Sequence, residues 1–134
     1  MREIILKAKE ENLGELTAWA DEQLEAAGCP ANVQLKIDLA IEEIFCNIAA
    51  YAYPGTEGDV RVTLELRNDR TAVLTFCDTG TAFDPLLRKE PDVSLSAEER
   101  SIGGLGIFLV RKTMDKVEYV REDGQNILRI LKKF

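Results

Sequence analysis

Histidine is absent from the 134 residues. That removes Ser-His-Asp hydrolysis, His-ligated zinc and phosphotransfer through an intrinsic histidine. Any proton chemistry falls to carboxylates, lysines, tyrosines or water. Cysteine is sparse: Cys29, Cys46 and Cys77 are odd in number, widely spaced and form no C-x-x-C. Cys46 and Cys77 sit inside apolar runs, which predicts buried, reduced thiols rather than disulfides or metal ligands. No apolar run approaches membrane-spanning length and no signal peptide opens the chain, so the expectation is a cytoplasmic protein. Base is scarcer than acid, 17 residues against 24, giving a net charge of −7. This argues against non-specific binding to nucleic acid or anionic lipid. A small anionic ligand remains compatible, because backbone N–H groups and one cation can hold it locally.

What is present suits one domain spanning 1–134. Apolar residues make up 46% of the chain, enough for a core without disulfides or a structural metal. Residues 2–8 predict a strand and 10–27 an amphipathic helix, with Leu13, Leu16, Ala20 and Leu24 on one face and Gly28 as its stop. Residues 31–53 contain no Gly or Pro and predict a long helix ended by Pro54-Gly55. Strict alternation over 59–67 predicts a half-buried strand, and a second strand over 71–77 completes a predicted hairpin. Residues 105–114 are helix-compatible, and 116–122 with 125–132 predict a second hairpin around Asp123-Gly124. The order is β-α-α-β-β-loop-α-β-β. It predicts a two-layer α/β sandwich in which three helices cover one face of a mixed, mostly antiparallel sheet.

On the long helix, Ile37, Ile41, Ile44 and Ile48 share one sector, and Leu39, Cys46 and Ala50 lie roughly opposite. A helix apolar on two sides is expected to be covered on both. Between them runs a polar stripe holding Glu43 and Asn47, one turn apart. The stripe is either solvated or a hard-cation site, since both side chains offer oxygen of the kind magnesium takes. Asp78-Thr79-Gly80 follows the first hairpin; D-x-G is ordinary turn chemistry, yet an Asp there can accept from an exocyclic amine while Gly80 lets the backbone approach a flat ring. Gly103-Gly104-Leu105-Gly106 opens the last helix, where exposed N–H groups and the helix dipole form a phosphate cradle or merely a flexible entry. The Walker motif is missing, and G-x-G-x-x-G is incomplete because Leu109 stands at its last position.

Taken in this order, E-x-x-x-N on a helix, D-x-G after a hairpin and G-x-G at a later helix resemble the Bergerat-type ATP-binding fold. The runs IEEIFCNIAAYAYP, DTGTAFDP and GGLGIFLVRKTMDKVEY make the chain most similar to bacterial anti-sigma-factor serine/threonine kinases. That resemblance implies that Asn47 coordinates a magnesium ion bridging the phosphates of ATP. It implies Glu43 as the general base, Asp78 as acceptor from the adenine amine and Gly80 beneath the ring. Gly104, Leu105 and Gly106 would supply lid and phosphate contacts, and 86–103 would be the ATP lid. The implied partners are a sigma factor and an anti-anti-sigma protein, the latter phosphorylated on Ser or Thr, with a homodimer expected. Two positions depart from the pattern: Ala82 stands where the superfamily often has Gly, and Ile127 stands near where its last strand commonly offers Thr to the adenine. A kinase that sequesters a sigma factor and a nucleotide-gated switch without transfer activity both predict magnesium-ATP binding. An interaction module built on the same glycines predicts none.

Overall fold

Five strands form one sheet in the order β1-β2-β3-β5-β4, and every pairing is antiparallel. They are β1 (Arg2–Lys7), β2 (Asp59–Leu66), β3 (Thr71–Asp78), β4 (Lys116–Glu122) and β5 (Gln125–Lys133). The helices are α1 (Leu13–Ala26), α2 (Ala31–Tyr51) and α3 (Gly104–Thr113). The computed structural model describes residues 1–85 and 104–134. The segment 86–103, assigned above as a lid, lies outside the described residues, as does Gly103.

The first predicted helix, 10–27, begins three residues later than predicted, at Leu13, the first residue of its apolar face. Residues Glu10–Asn12 form a 3-10 turn, and the α-helical hydrogen bonding starts at Leu13. Gly28, at φ 78°, ends α1 as predicted: its left-handed backbone lets Cys29 N–H donate to the Leu24 carbonyl at 3.0 Å. Asp123 and Gly124, at φ 51° and 75°, make the tight turn of the closing hairpin.

Period-2 alternation sorts the strands' side chains between two faces. Val60, Val62, Leu64, Leu74, Phe76, Leu128 and Ile130 are buried on the helix-facing side. They meet Leu16, Leu24, Ile37, Ile41, Ile44 and Phe45 in one hydrophobic cluster. Each fully buried side chain of this size contributes about 1.5–3 kcal/mol. The second apolar sector of α2 is not covered as expected: Leu39 is 54% exposed and Leu35 59%. The reason is that α3 packs on the polar stripe instead, burying Ala40 between Lys36 and Glu43.

Where α1 meets α2, Asp21 and Asp38 face one another, and each has a buried Oδ1 without a hydrogen-bond donor. Burial, a hydrogen bond shared with Asp21, and the charges of Asp21 and Glu25 push Asp38 up to about 8. A carboxyl raised in the fold holds a proton that the unfolded chain releases near pH 4. Its stabilising effect is therefore full below about pH 4 and is lost as pH rises toward about 8. Asp38→Asn supplies a permanent donor to Asp21. Thermal unfolding at pH 8 should show the variant about 3 °C more stable, from one hydrogen bond of about 1 kcal/mol, with no gain at pH 4. An equal shift at both pH values would remove the shared proton from the explanation.

Candidate functional site

Alternation decides which side chains reach the space between sheet and helices. Asp78 is in phase with Leu74 and Phe76, so the last residue of β3 turns a carboxylate inward and is only 5% exposed. Opposite it in the β3–β5 register stands Asn126, in phase with Leu128 and Ile130. Asn126, rather than Ile127, occupies the last-strand position beside Asp78; Ile127 pairs with Cys77.

Asn126 joins three segments. Its Nδ2 donates to Asp78 Oδ1 at 2.9 Å and to the Thr81 carbonyl at 2.8 Å. Its Oδ1 accepts from the Tyr119 hydroxyl and from Phe83 N–H. Asp78 Oδ1 also accepts from Gly80 N–H at 2.9 Å, closing an Asx turn. The other oxygen, Oδ2, has no partner among the described residues, so the network fixes the carboxylate and leaves one acceptor open.

The C-terminal end of α2 grips the loop that follows β3. Thr81 N–H donates to the Ala52 carbonyl at 2.8 Å. Tyr53 Oη donates to the Asp59 carbonyl and accepts from Thr79 N–H at 3.0 Å. Arg121 donates to the Gly80 carbonyl at 2.8 Å. A Cβ on Gly80 would overlap the Ala52 carbonyl, so only glycine allows the loop to lie this close to the helix.

These segments enclose a cleft whose walls include Ile44, Ile48, Phe76 and Leu128, with Asn47 on one side and Asp78 and Asn126 on the other. It is narrow, about 30 Å³, which is room for one or two waters. Asn47 is 9% exposed and its Nδ2 is buried without a partner. An orphaned buried amide of this kind costs roughly 1–3 kcal/mol unless a ligand or water satisfies it. Among the described residues no three His, Cys, Asp or Glu side chains converge as a metal site.

Of the other sequence-predicted residues, Glu43 lies one turn from Asn47 but outside this cleft, in an adjoining groove between α2 and α3. Its carboxylate sits over Gly106, where a Cβ would overlap it. Burial, then the neighbouring Glu42 charge, raises the Glu43 carboxyl above the ordinary carboxylate range. Gly104 and Leu105 begin α3, and Ile107 reaches the cleft wall. The structure thus brings Asn47 and Asp78 to one cleft, and Glu43 and Gly106 to the groove beside it.

A family model described as histidine kinase-like ATPase domain matches residues 6–132. The chain is 31% identical over 101 residues to the serine/threonine-protein kinase BtrW of Bordetella bronchiseptica, covering 75% of this chain and 70% of that protein. It is 33% identical over 97 residues to the serine-protein kinase RsbW of Listeria monocytogenes, covering 69% of this chain. That match spans 61% of the Listeria protein's length. Among solved structures, the blue-light activated histidine kinase of Erythrobacter litoralis EL346 superposes with a TM-score of 0.57 at 16% identity, over 78% of this chain and 31% of that one. Its histidine kinase domain alone gives 0.55 at 14% identity, over 92% of this chain and 60% of that one. At such identities the likeness speaks for the fold alone.

Proposed function

This chain belongs to the histidine kinase-like ATPase domain family, and from that premise we propose that it binds ATP with magnesium and transfers the terminal phosphoryl group to a protein serine or threonine. The observation that carries the nucleotide part is the cleft itself. It sets an orphaned buried amide, Asn47 Nδ2, across from a fixed carboxylate whose second oxygen, Asp78 Oδ2, takes no hydrogen bond among the described residues.

In this reading the apolar walls take the flat face of adenine, and Asp78 Oδ2 accepts from its exocyclic amine. Gly80 keeps the backbone low beneath the ring. Entry of the ring moves the side chains of the 81–85 loop, Phe83 among them, because the free space is small. Asn47 can turn its amide oxygen to a cation and its N–H₂ to a phosphate oxygen. One side-chain ligand suits magnesium, which keeps waters and takes its other oxygens from phosphates. Bound there, the ion would neutralise phosphate charge. The amino end of α3, with Gly104, Leu105 and Gly106, faces its N–H groups to phosphate.

Glu43 holds the remaining role. The attacking hydroxyl oxygen forms a bond to the γ-phosphorus as the bond from that phosphorus to the β,γ-bridging oxygen breaks. ADP leaves, and the hydroxyl proton passes to the Glu43 carboxylate. Raising this carboxyl's pKa, by burial first and then by the Glu42 charge, makes its carboxylate form a better proton acceptor.

By kinship with the serine kinases above and with anti-sigma-factor kinases, we assign the phosphoryl acceptor as an anti-anti-sigma protein. A sigma factor is the second partner, in a cytoplasmic homodimer. Among the described residues no helix is long and apolar enough to cross a membrane.

The decisive measurement is a calorimetric titration of ATP with and without magnesium, for wild type and Asn47→Ala. Wild type should bind with micromolar affinity only when magnesium is present. The variant should lose at least about tenfold, the equivalent of roughly 1.4 kcal/mol. Absence of saturation by wild type up to millimolar ATP would sink the nucleotide reading altogether.

A further inference from the structure

Glu43 lines a groove of about 230 Å³ along the seam of α2 and α3, together with Leu39, Ala40, Leu109 and Val110. Leu39 is 54% exposed and Leu109 50%, so two large apolar side chains from different helices stand open to solvent beside a half-buried carboxylate. Leu35, one turn before Leu39, extends the same apolar stripe. Such a patch marks a surface that another molecule covers.

The groove also carries charge with a direction. Lys36 and Glu42 both line it, and neither enters an ion pair among the described residues. Six residues apart on a helix, they are separated by about 9 Å along the axis. Three residues of extended chain span about the same length.

We propose that this groove seats the hydroxyl-bearing segment of the protein substrate, in extended form, with an apolar side chain between Leu39 and Leu109, an acid near Lys36 and a base near Glu42. The seat rests on the kinase reading above, in which the hydroxyl proton goes to Glu43, a lining residue of this groove one turn from Asn47 of the nucleotide cleft. Continuity is the argument: the groove contains the carboxylate to which the kinase reading gives the hydroxyl proton, so a chain lying in it brings its serine or threonine to that oxygen. An apolar neighbour of the hydroxyl fills the space between the leucines, and the two free charges set which way the chain runs.

The test uses the purified chain with magnesium and γ-labelled ATP, and three synthetic serine peptides. One has leucine beside the serine with an acid and a base about three residues apart. The second replaces the leucine by glycine, and the third reverses the acid and the base. Wild type should modify the first peptide about 30-fold more efficiently than the second, the worth of one buried leucine. It should also prefer the first over the third. Leu39→Ser/Leu109→Ser, at exposed positions, should bring the leucine-to-glycine ratio to within about threefold. Calorimetry on the same sample should show unchanged affinity for magnesium-ATP. An unchanged ratio in the double variant overturns the seat. So does wild type that binds magnesium-ATP but modifies no peptide, or a double variant whose only change is dissociation of a dimer in sedimentation. Failure of wild type to bind magnesium-ATP overturns the kinase reading instead, and the calorimetry separates the two failures.

Discussion

Glu43→Gln should lower phosphoryl transfer by roughly 10²–10⁴-fold, the usual contribution of a positioned general base, while magnesium-ATP affinity stays within about threefold. Glutamine keeps the length and shape of the side chain and its contact over Gly106. It removes only the ability to take a proton. Glu43 lies outside the cleft that holds Asn47 and Asp78, so the nucleotide contacts are untouched. Single-turnover transfer to protein or peptide, beside an ATP titration, reads the two quantities separately. Wild-type transfer should decline as pH falls through a value above the ordinary carboxylate range, because burial and Glu42 raise the Glu43 carboxyl. In the glutamine variant that acid limb should vanish. If Glu43→Gln retains full transfer, the proton goes elsewhere. If wild type binds nucleotide and transfers nothing to any acceptor, the chain is a nucleotide-gated switch.

Much of the architecture could be read from local pattern. The strict alternation of 59–67 places Val60, Val62 and Leu64 inward as expected. A stretch without Gly or Pro gives α2 to within two residues. The start of α1 was less legible, because the 3-10 turn Glu10–Asn12 holds only polar residues and offers no apolar period to set it apart from a first helical turn. The exposure of Leu39 was not legible at all. Periodicity says that a sector is apolar, not which neighbour covers it, and here α3 lies across the stripe between the two sectors.

The candidate site divides in the same way. Asn47 and Asp78 stand out by type and order, each within a local motif. Asn126 does not, because its significance comes from pairing with a residue 48 positions earlier. The signal was available in its phase: a polar residue alternating with Leu128 and Ile130 at the inward positions of the last strand has to find a buried partner. Reading the strand from Ile130 backward places Asn126, not Ile127, against Asp78. Gly106 was legible as a glycine at a helix entrance, but its neighbour was not. The side chain that lies over it belongs to α2.

Two substitutions of glycine by alanine should therefore fail in opposite ways. In Gly80→Ala the added carbon meets backbone: the carbonyl of Ala52, which is itself bonded to Thr81 N–H. Neither side can yield without breaking that bond and shifting the loop that carries Asp78. The expected cost is about 2–4 kcal/mol, seen as a fall of roughly 6–12 °C in Tm, together with loss of nucleotide binding. In Gly106→Ala the carbon meets only the end of the Glu43 side chain, which can swing aside. Stability should change by less than about 1 kcal/mol. Transfer should fall by at least about tenfold, because the carboxylate has left the place where the hydroxyl is held. Thermal unfolding and single-turnover transfer on both variants decide the matter. Equal loss of stability in the two would mean that the Glu43–Gly106 contact is rigid packing. Full transfer by Gly106→Ala would mean that the position of this carboxylate is of no consequence to the chemistry.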